Sequence, residues 1–276
     1  MVKLRYARIF ISILFFTTAI ITIIVENTDV LHFFKYTKYV QIIPSILPTM
    51  LGIILFWLLT TLLFGRIYCS SICPIGTLFD IIIRLRKFIP QLNRKFYFKP
   101  IQKKQKYFIL FTYILCLALS ISIIPAIIEP WNMFENIIST FSFSPQQESL
   151  IRLSTGSLLG FIIGFISFVI IVIYAALKGR DYCNEICPIG SLLGIATQKS
   201  LMHIEIDPDK CINCMDCETN CKASCIKVIS RYVDNSRCVR CFNCISKCPN
   251  NAIRYQINKN RVSTPMMRRV NNSITK

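Results

Sequence analysis

Eight of the 14 cysteines in this 276-residue chain form two runs with one spacing. The runs are Cys211-x-x-Cys214-x-x-Cys217-x-x-x-Cys221 and Cys238-x-x-Cys241-x-x-Cys244-x-x-x-Cys248. Three closely spaced thiolates can wrap one [4Fe-4S] cube, and in bacterial proteins with this spacing the fourth cysteine ligates the other cluster. The pattern therefore predicts two clusters, one held by Cys211, Cys214, Cys217 and Cys248, the other by Cys238, Cys241, Cys244 and Cys221.

Two residues depart from the usual form of these runs. Lys222 follows Cys221 where the pattern has proline, which weakens the local turn but removes no ligand. Cys225 lies four residues after Cys221, as Ala252 lies four residues after Cys248. We therefore expect Cys225 to fill a small buried position beside a cluster, with a role as substitute ligand as the alternative.

The residues around the runs predict a small α+β domain. Apolar and polar residues alternate over 203–207 and again over 253–257, a pattern typical of two paired strands. So short a domain has little core, so the clusters should contribute to its stability. A zinc site fits poorly, because His203 is the only histidine nearby.

A second cysteine motif occurs twice upstream. Residues 65–76 and 179–190 are identical at nine of twelve positions, and each segment contains C-x-x-x-C-P. The cysteines concerned are Cys69, Cys73, Cys183 and Cys187. Proline disfavours the helical region for the residue before it. We therefore expect a bend at each second cysteine, with Pro74 and Pro188 opening short helices at the membrane surface.

Three interpretations of these four cysteines are open. They could together hold a further metal ion or Fe–S cluster. They could be redox-active thiols made nucleophilic by Arg66 and Arg180. They could also pack as small buried residues, as we expect for the isolated Cys116.

The composition predicts a membrane protein. Hydrophobic residues make up 53% of the chain, charged residues 17%, and the mean hydropathy is +0.51. Four apolar segments, 7–25, 42–64, 107–128 and 153–177, are long enough to span a bilayer. We therefore predict an integral membrane α-helical bundle of four transmembrane helices, in two helix-pair repeats, followed by the small cluster domain. The predicted units are 1–106 and 107–200 for the two helix pairs, 201–258 for the cluster domain and 259–276 for a disordered basic tail.

The distribution of charge predicts the orientation. The net charge is +18, and only Lys35, Lys38 and Arg152 of the 32 Lys and Arg residues fall outside the termini and the loop between the second and third segments. The positive-inside rule then places both termini and the clusters in the cytoplasm, with the first segment as a retained anchor. A bilayer is a better partner than nucleic acid for such an apolar chain. Glu129-Pro130-Trp131 is expected at the outer surface, as an ordinary turn or a contact for a quinone headgroup.

Together these motifs resemble the membrane ferredoxins of the NapH and NosR type. Their pattern is helix pairs that end in G-R-x-x-C-x-x-x-C-P, then a two-cluster ferredoxin, and the likeness covers residues 1 to about 257. The resemblance implies four spans, a cytoplasmic Fe–S domain and quinol-linked electron transfer. The large periplasmic flavin domain of the NosR type is not in this sequence, which implies the smaller NapH-like plan.

The leading functional hypothesis is an electron-transfer protein of the bacterial inner membrane. It would pass electrons between the quinone pool or a redox partner protein and a reductase system, as a quinol dehydrogenase subunit does. Two alternatives are a factor for cytochrome oxidase or metal-centre assembly, as in the FixG type, and a redox-sensing membrane regulator. Two histidines and the absence of C-x-x-C-H give no basis for a haem.

Overall fold

The computed structural model describes residues 2–24, 51–92, 95–100, 103–119, 128–141 and 157–257. Helices in these ranges are α1 (Val2–Ile24), α2 (Leu51–Phe64), α3 (Tyr68–Ser71), α4 (Pro74–Leu85), α5 (Lys103–Ala118), α6 (Pro130–Phe141), α7 (Ser157–Lys178), α8 (Asp181–Glu185), α9 (Pro188–Thr197), α10 (Asp216–Thr219) and α11 (Asn243–Lys247). Short 3₁₀ helices follow α4 at Arg86–Phe88 and Pro90–Leu92. The strands are β1 (Met202–Ile206), β2 (Ile226–Lys227), β3 (Tyr232–Val233) and β4 (Ile253–Ile257).

Of the helices within the described ranges, α1 is the one long and apolar enough to cross a membrane. The apolar parts of α2, α5, α7 and α9 are shorter. Residues 42–50, 120–127 and 153–156 of the other three predicted spans lie outside the described ranges, as does the basic tail 259–276. The described part of the chain is mostly helical, and one helix in it is clearly capable of spanning a bilayer.

Aromatic and aliphatic side chains hold α1, α4, α6 and α7 together in one core. The rings of Phe16 on α1 and Phe134 on α6 lie 5.4 Å apart, and those of Phe141 and Phe168 join α6 to α7 at 5.2 Å. Phe79 on α4 is fully buried and stacks on Tyr182 of α8 at 5.7 Å. The helix after the first cysteine motif thereby packs directly against the second motif.

The expected outer position of residues 129–131 is wrong. The hydroxyl of Tyr182, inside the second cysteine motif, donates a hydrogen bond to the carbonyl oxygen of Ile128 at 2.8 Å. Helix α6 therefore begins at the level of the motif, and Trp131 is buried in the core. Sequence analysis missed α6 because its apolar residues, spaced for one buried face, alternate with polar ones and give no long apolar run.

The cluster domain is built on the two strands that the sequence predicts. Strands β1 and β4 pair antiparallel, with Ile204 opposite Tyr255, and β2 pairs with β3 in a short hairpin. The inward residues Ile204 and Ile253 belong to a separate small core that includes several of the cysteines. The paired strands close the domain across the two cysteine runs.

Candidate metal centres

A first cavity in the cluster domain lies beside the first cysteine run. Four cysteines line it together with apolar side chains such as Ile206, Val228 and Ile253. These cysteines are Cys211, Cys214, Cys217 and Cys248. They are the four residues that the spacing assigns to one cluster, and Cys248 reaches this cavity from the second run.

A second cavity lies beside the other run. Its lining includes the four cysteines assigned to the other cluster, Cys221, Cys238, Cys241 and Cys244. Cys221 is here the residue that crosses over from the first run. Cys225 also lines this cavity and is 1% exposed, so it occupies the small buried position expected for it.

The two runs wrap their cavities with the same backbone conformation. Both place non-glycine residues in the left-handed region at matching positions after the first cysteine and after the fourth cysteine. The matched pairs are Asn213 with Arg240, Met215 with Phe242, and Ser224 with Asn251. This conformation is rare for residues other than glycine. Its recurrence at matching positions therefore shows that the backbone of both runs makes the same tight turns around its cavity.

The chemistry of the two donor sets fits [4Fe-4S] clusters. The first cavity presents four thiol groups and the second presents five, the fifth being Cys225, and thiolates are the ligands that hold such clusters. Within the described ranges no three His, Cys, Asp or Glu residues are close enough to hold a single metal ion. A cube differs from a single ion, because each thiolate binds its own iron atom.

The four cysteines of the repeated motif also come together. Electrostatic interactions link Cys73 with Cys69 and Cys183, and link Cys187 with the other three. We call this set (Cys69, Cys73, Cys183 and Cys187) the cysteine quartet. All four residues are buried.

Two fully buried arginines, one from each repeat, donate hydrogen bonds to the backbone of the other repeat. Arg66 of the first repeat donates through Nη2 to the carbonyl oxygen of Cys183 at 2.8 Å. Arg180 of the second repeat donates through Nη1 to the carbonyl oxygen of Cys69 at 2.9 Å and through Nη2 to that of Gly76 at 2.7 Å. The identical residues of the two repeats therefore form a pseudo-symmetric pair, in which each arginine orders the other motif.

Proline and glycine explain two further identities between the repeats. Cys73 and Cys187 are extended residues at the N-termini of α4 and α9, and proline is the first helical residue in both, as predicted. Gly76 packs against the carbonyl of Cys69, and Gly190 against that of Cys183. A Cβ atom at either glycine would overlap that carbonyl oxygen.

Burial opposes thiolate formation at three of the four quartet cysteines. Burial raises the pKa of Cys73 and of Cys187 well above the ordinary value, and it raises the pKa of Cys183 to about 11. Arg66 and Arg180 act in the opposite direction on Cys183 but do not overcome burial. Since the thiolate is the reactive form, burial disfavours the interpretation that Arg66 and Arg180 make Cys73, Cys183 and Cys187 nucleophilic.

Asp80, on α4, joins the helices that precede residue 201 to the cluster domain. We call these helices the helical part. Its carboxylate pairs with Arg8 at 3.0 Å, with Arg180 at 2.8 Å and with Lys222 at 3.1 Å, all buried. Burial by itself would raise the pKa of Asp80, but Arg180, Lys222 and Arg8 together hold it well below its usual range. A second buried pair, Arg237 with Asp181 at 3.3 Å, joins the same two parts. Sequence analysis missed Asp80, whose one visible signal is an acid within an apolar and basic helix.

Comparisons with known proteins agree with this arrangement. A family described as "4Fe-4S binding domain" matches residues 46–93 and 161–205, the segments that hold the quartet. Two further families with the same description match 203–226 and 231–254, the two cysteine runs. Three families of this kind indicate that the chain holds iron–sulfur clusters.

Named relatives identify the kind of protein. The methylamine utilization ferredoxin-type protein MauN of Paracoccus denitrificans is 26% identical over 64% of this chain and 56% of its own length. The ferredoxin-type protein NapH of Haemophilus influenzae is 39% identical over 21% of this chain and 21% of its own length. The chain is thus similar to ferredoxin-type proteins of the NapH kind. The putative electron transport protein YccM of Escherichia coli is 24% identical over 68% of this chain and 50% of its own length.

The match to this family supports an electron-transfer role. The chain spans between about half and three fifths of the length of the relatives that match most of it. No solved structure matches the chain. The family resemblance therefore rests on sequence similarity, which includes the cysteine motifs.

Proposed function

We propose that the protein is a membrane-bound iron–sulfur electron-transfer protein that links the quinone pool, or a redox partner, to a reductase system. The observation that carries this proposal is the pair of cavities, each lined by the four cysteines of one predicted cluster. When bound, two [4Fe-4S] clusters would accept and release single electrons. The chain contributes the thiolates, the tight loops that orient them and the buried charges around them.

Quinol-driven reduction of the clusters tests this function. In anaerobic membranes that contain the protein, a quinol analogue should bleach the visible absorption of the clusters and produce an EPR signal. A membrane with the Cys241→Ser variant should show a smaller signal. Failure of any quinol to reduce the clusters, together with a copper-dependent oxidase defect in a deletion strain, would instead favour the assembly alternative.

The membrane location is supported by apolar side chains that point away from the core. Phe10 on α1 is 69% exposed, and Phe56 on α2, Phe108 on α5 and Ile170 on α7 are each more than half exposed. Contiguous apolar surface of this kind marks a lipid or protein interface. We propose a multi-pass protein of the bacterial inner membrane, with both termini and the clusters in the cytoplasm. Ile128, just before α6, lies at the level of the second motif, so the third membrane crossing cannot end there. This crossing then has to include α6.

Extraction and reporter fusions test this topology. The protein should stay with the membrane at alkaline pH and dissolve only in detergent. A fluorescent reporter fused after residue 257 should fold in the cytoplasm, whereas an alkaline phosphatase fusion at that point should be inactive. Active phosphatase there would overturn the proposed orientation.

The cysteine quartet is proposed as a further metal or redox site between the clusters and the membrane. Four thiols beside the fully buried cations Arg66 and Arg180 would be compensated in charge if they held an Fe–S cluster as thiolates. The family match to residues 46–93 and 161–205 agrees with this proposal. Iron content decides it: about twelve irons per chain, falling to about eight in Cys69→Ser plus Cys183→Ser, supports a quartet cluster. About eight in both proteins would exclude one. Cys116→Ser, which changes a cysteine outside the quartet, is the control.

A quinone headgroup is proposed to bind beside the quartet. Tyr113 and Trp131 are buried, and neither the tyrosine hydroxyl nor the indole N–H has a hydrogen-bond partner. The Tyr113 hydroxyl lies within electrostatic range of Cys187 and of Glu129, whose carboxylate accepts a hydrogen bond from Asn132 at 2.8 Å. Buried polar atoms without partners call for a ligand or water, and a quinol offers two hydroxyl groups. Tyr113→Phe should weaken quinol-driven reduction, whereas Tyr107→Phe on the exposed face of the same helix should not.

A basic cleft is proposed as the contact for a redox partner protein. It lies between the segment after the first motif and the cluster domain. Its charged lining consists of four cations and one acid, namely Arg86, Lys87, Lys95, Lys222 and Asp216. Asp216 and Asn243, which also lines the cleft, lie within the two cysteine runs, so a partner with an acidic surface would dock close to both clusters. Lys87→Glu plus Lys95→Glu should slow electron transfer to such a partner and leave dithionite reduction unchanged.

A further inference from the structure

Cys225 touches two of the thiols predicted to ligate the second cluster. Its Sγ lies 3.4 Å from that of Cys221, and its side chain also interacts electrostatically with that of Cys238. Cys225 is itself buried and shares the lining of the second cavity with both residues. A thiol that is not needed as a ligand in this position can donate its proton to neighbouring sulfurs.

The first cavity lacks this donor at the equivalent position. Ala252 lies four residues after Cys248, as Cys225 lies four residues after Cys221, and Ala252 is buried in the wall of the first cavity. The backbone N–H of Ala252 donates to Cys248 Sγ at 3.2 Å, and that of Cys225 donates to Cys221. The two sites therefore share the backbone hydrogen bond and differ in one side-chain S–H group.

This difference affects the two clusters unequally. Reduction adds one negative charge to a cluster, and hydrogen bonds to its sulfurs are among the factors that set its reduction potential. A donor stabilises the more negative, reduced form. We propose that the Cys225 thiol donates to the thiolates of the second cluster and raises its reduction potential above that of the first. The inference rests on the proposed function. It means that a single added electron resides mainly on the second cluster.

The second cluster is also the one that lies next to the helical part of the molecule. Cys241, one of its predicted ligands, packs against the core of the helical part, whereas Cys214 of the first site is exposed to solvent. Lys222, next to Cys221, pairs with Asp80 at the same boundary. An electron would therefore be held on the side of the domain that faces the cysteine quartet.

Potentiometric titration followed by EPR, on the purified full chain, tests the inference. Cys225→Ala should lower the potential of one cluster and leave the other unchanged, and Cys225→Ser, which keeps a donor, should restore part of the shift. Ala252→Cys should raise the potential of the first cluster. Unchanged potentials in both Cys225→Ala and Ala252→Cys would overturn the proposal.

Two further results separate this inference from the proposed function. Loss of about four irons in Cys225→Ala would show that Cys225 is a ligand and would overturn its role as a donor. Wild-type protein without iron or an EPR signal would instead overturn the proposed function itself. Clusters that are present and reducible, with potentials that do not respond to residue 225, would contradict the inference alone.

Discussion

Lys222 Nζ lies 3.1 Å from Asp80 Oδ1, in a buried contact between the cluster domain and the helix that follows the first cysteine motif. The backbone carbonyl of Lys222 also accepts a hydrogen bond from the backbone N–H of Arg180 at 2.8 Å. A proline in this position, the residue usual after the fourth cysteine, would keep that carbonyl but lose the ammonium group. The departure from the cysteine pattern is thus a docking contact between the two parts of the molecule.

Removing one partner of this contact should loosen the cluster domain. Asp80→Asn leaves the buried charges of Arg8, Arg180 and Lys222 without their anion, and breaking a buried pair in this way costs about 3–5 kcal/mol. Lys222→Met removes one of three cations around Asp80 and should cost less, about 1.5–3 kcal/mol. Thermal unfolding in detergent measures both effects, and hydrogen exchange over residues 201–257 shows whether the domain opens.

A surface ion pair of the same domain provides the control for these variants. Arg254 and Asp207 lie 3.7 Å apart, and the arginine side chain is 45% exposed. Such pairs contribute about 0–1 kcal/mol, so Arg254→Met should leave unfolding and exchange nearly unchanged. Equal effects of Lys222→Met and Arg254→Met would contradict the docking role of Lys222.

Sequence spacing predicted those parts of the site that depend on residues close together in the chain. Which cysteines share a cavity follows from the two runs, and the bend at Cys73 follows from the proline after it. The pairing of Ile204 with Tyr255 follows from two short alternating patterns. In each case the residues that decide the structure are neighbours in sequence or belong to one repeating pattern.

Contacts between distant segments could not be predicted in this way. Asp80 meets Lys222 across 142 residues, and nothing in either neighbourhood specifies the other. The hydrogen bond from Tyr182 to Ile128 likewise joins distant segments. It places Ile128 at the second motif, whereas hydropathy alone places this residue on the far side of the membrane. Hydropathy reports whether a segment is apolar, but the packing of α6 depends on which of its faces is buried.

The two motif glycines should not tolerate a methyl group. In Gly76→Ala the new Cβ would overlap the carbonyl oxygen of Cys69, and in Gly190→Ala it would overlap that of Cys183. Because these oxygens belong to backbone that the buried arginines hold in place, overpacking should cost about 1–3 kcal/mol or more. Unfolding temperature and retained iron measure the loss. Gly52→Ala is the matched control, since nothing lies within 4 Å of a Cβ at that helical glycine.

The crossed arginines should not be replaceable by lysine. Arg180→Lys keeps a charge for Asp80 but loses the planar fork that reaches the carbonyl oxygens of Cys69 and Gly76. Each buried acceptor left without a donor costs about 1–3 kcal/mol. Thermal unfolding should therefore shift strongly for Arg180→Lys and little for Arg84→Lys, whose side chain is exposed. Similar behaviour of the two variants would show that charge alone orders the motif.

The two predicted clusters should differ in their resistance to iron loss. At the first site Cys214 is exposed and Cys211 and Cys248 are half-buried, whereas at the second site Cys221, Cys238 and Cys244 are buried. A chelator or oxygen therefore reaches the first cluster sooner, and the iron of these two clusters should leave in two phases of about four irons each. Cys211→Ser should abolish the fast phase and Cys241→Ser the slow one, as followed by iron release and EPR. Loss of all the iron in a single phase would contradict this order, because burial of the second set of thiols is the feature that should protect its cluster.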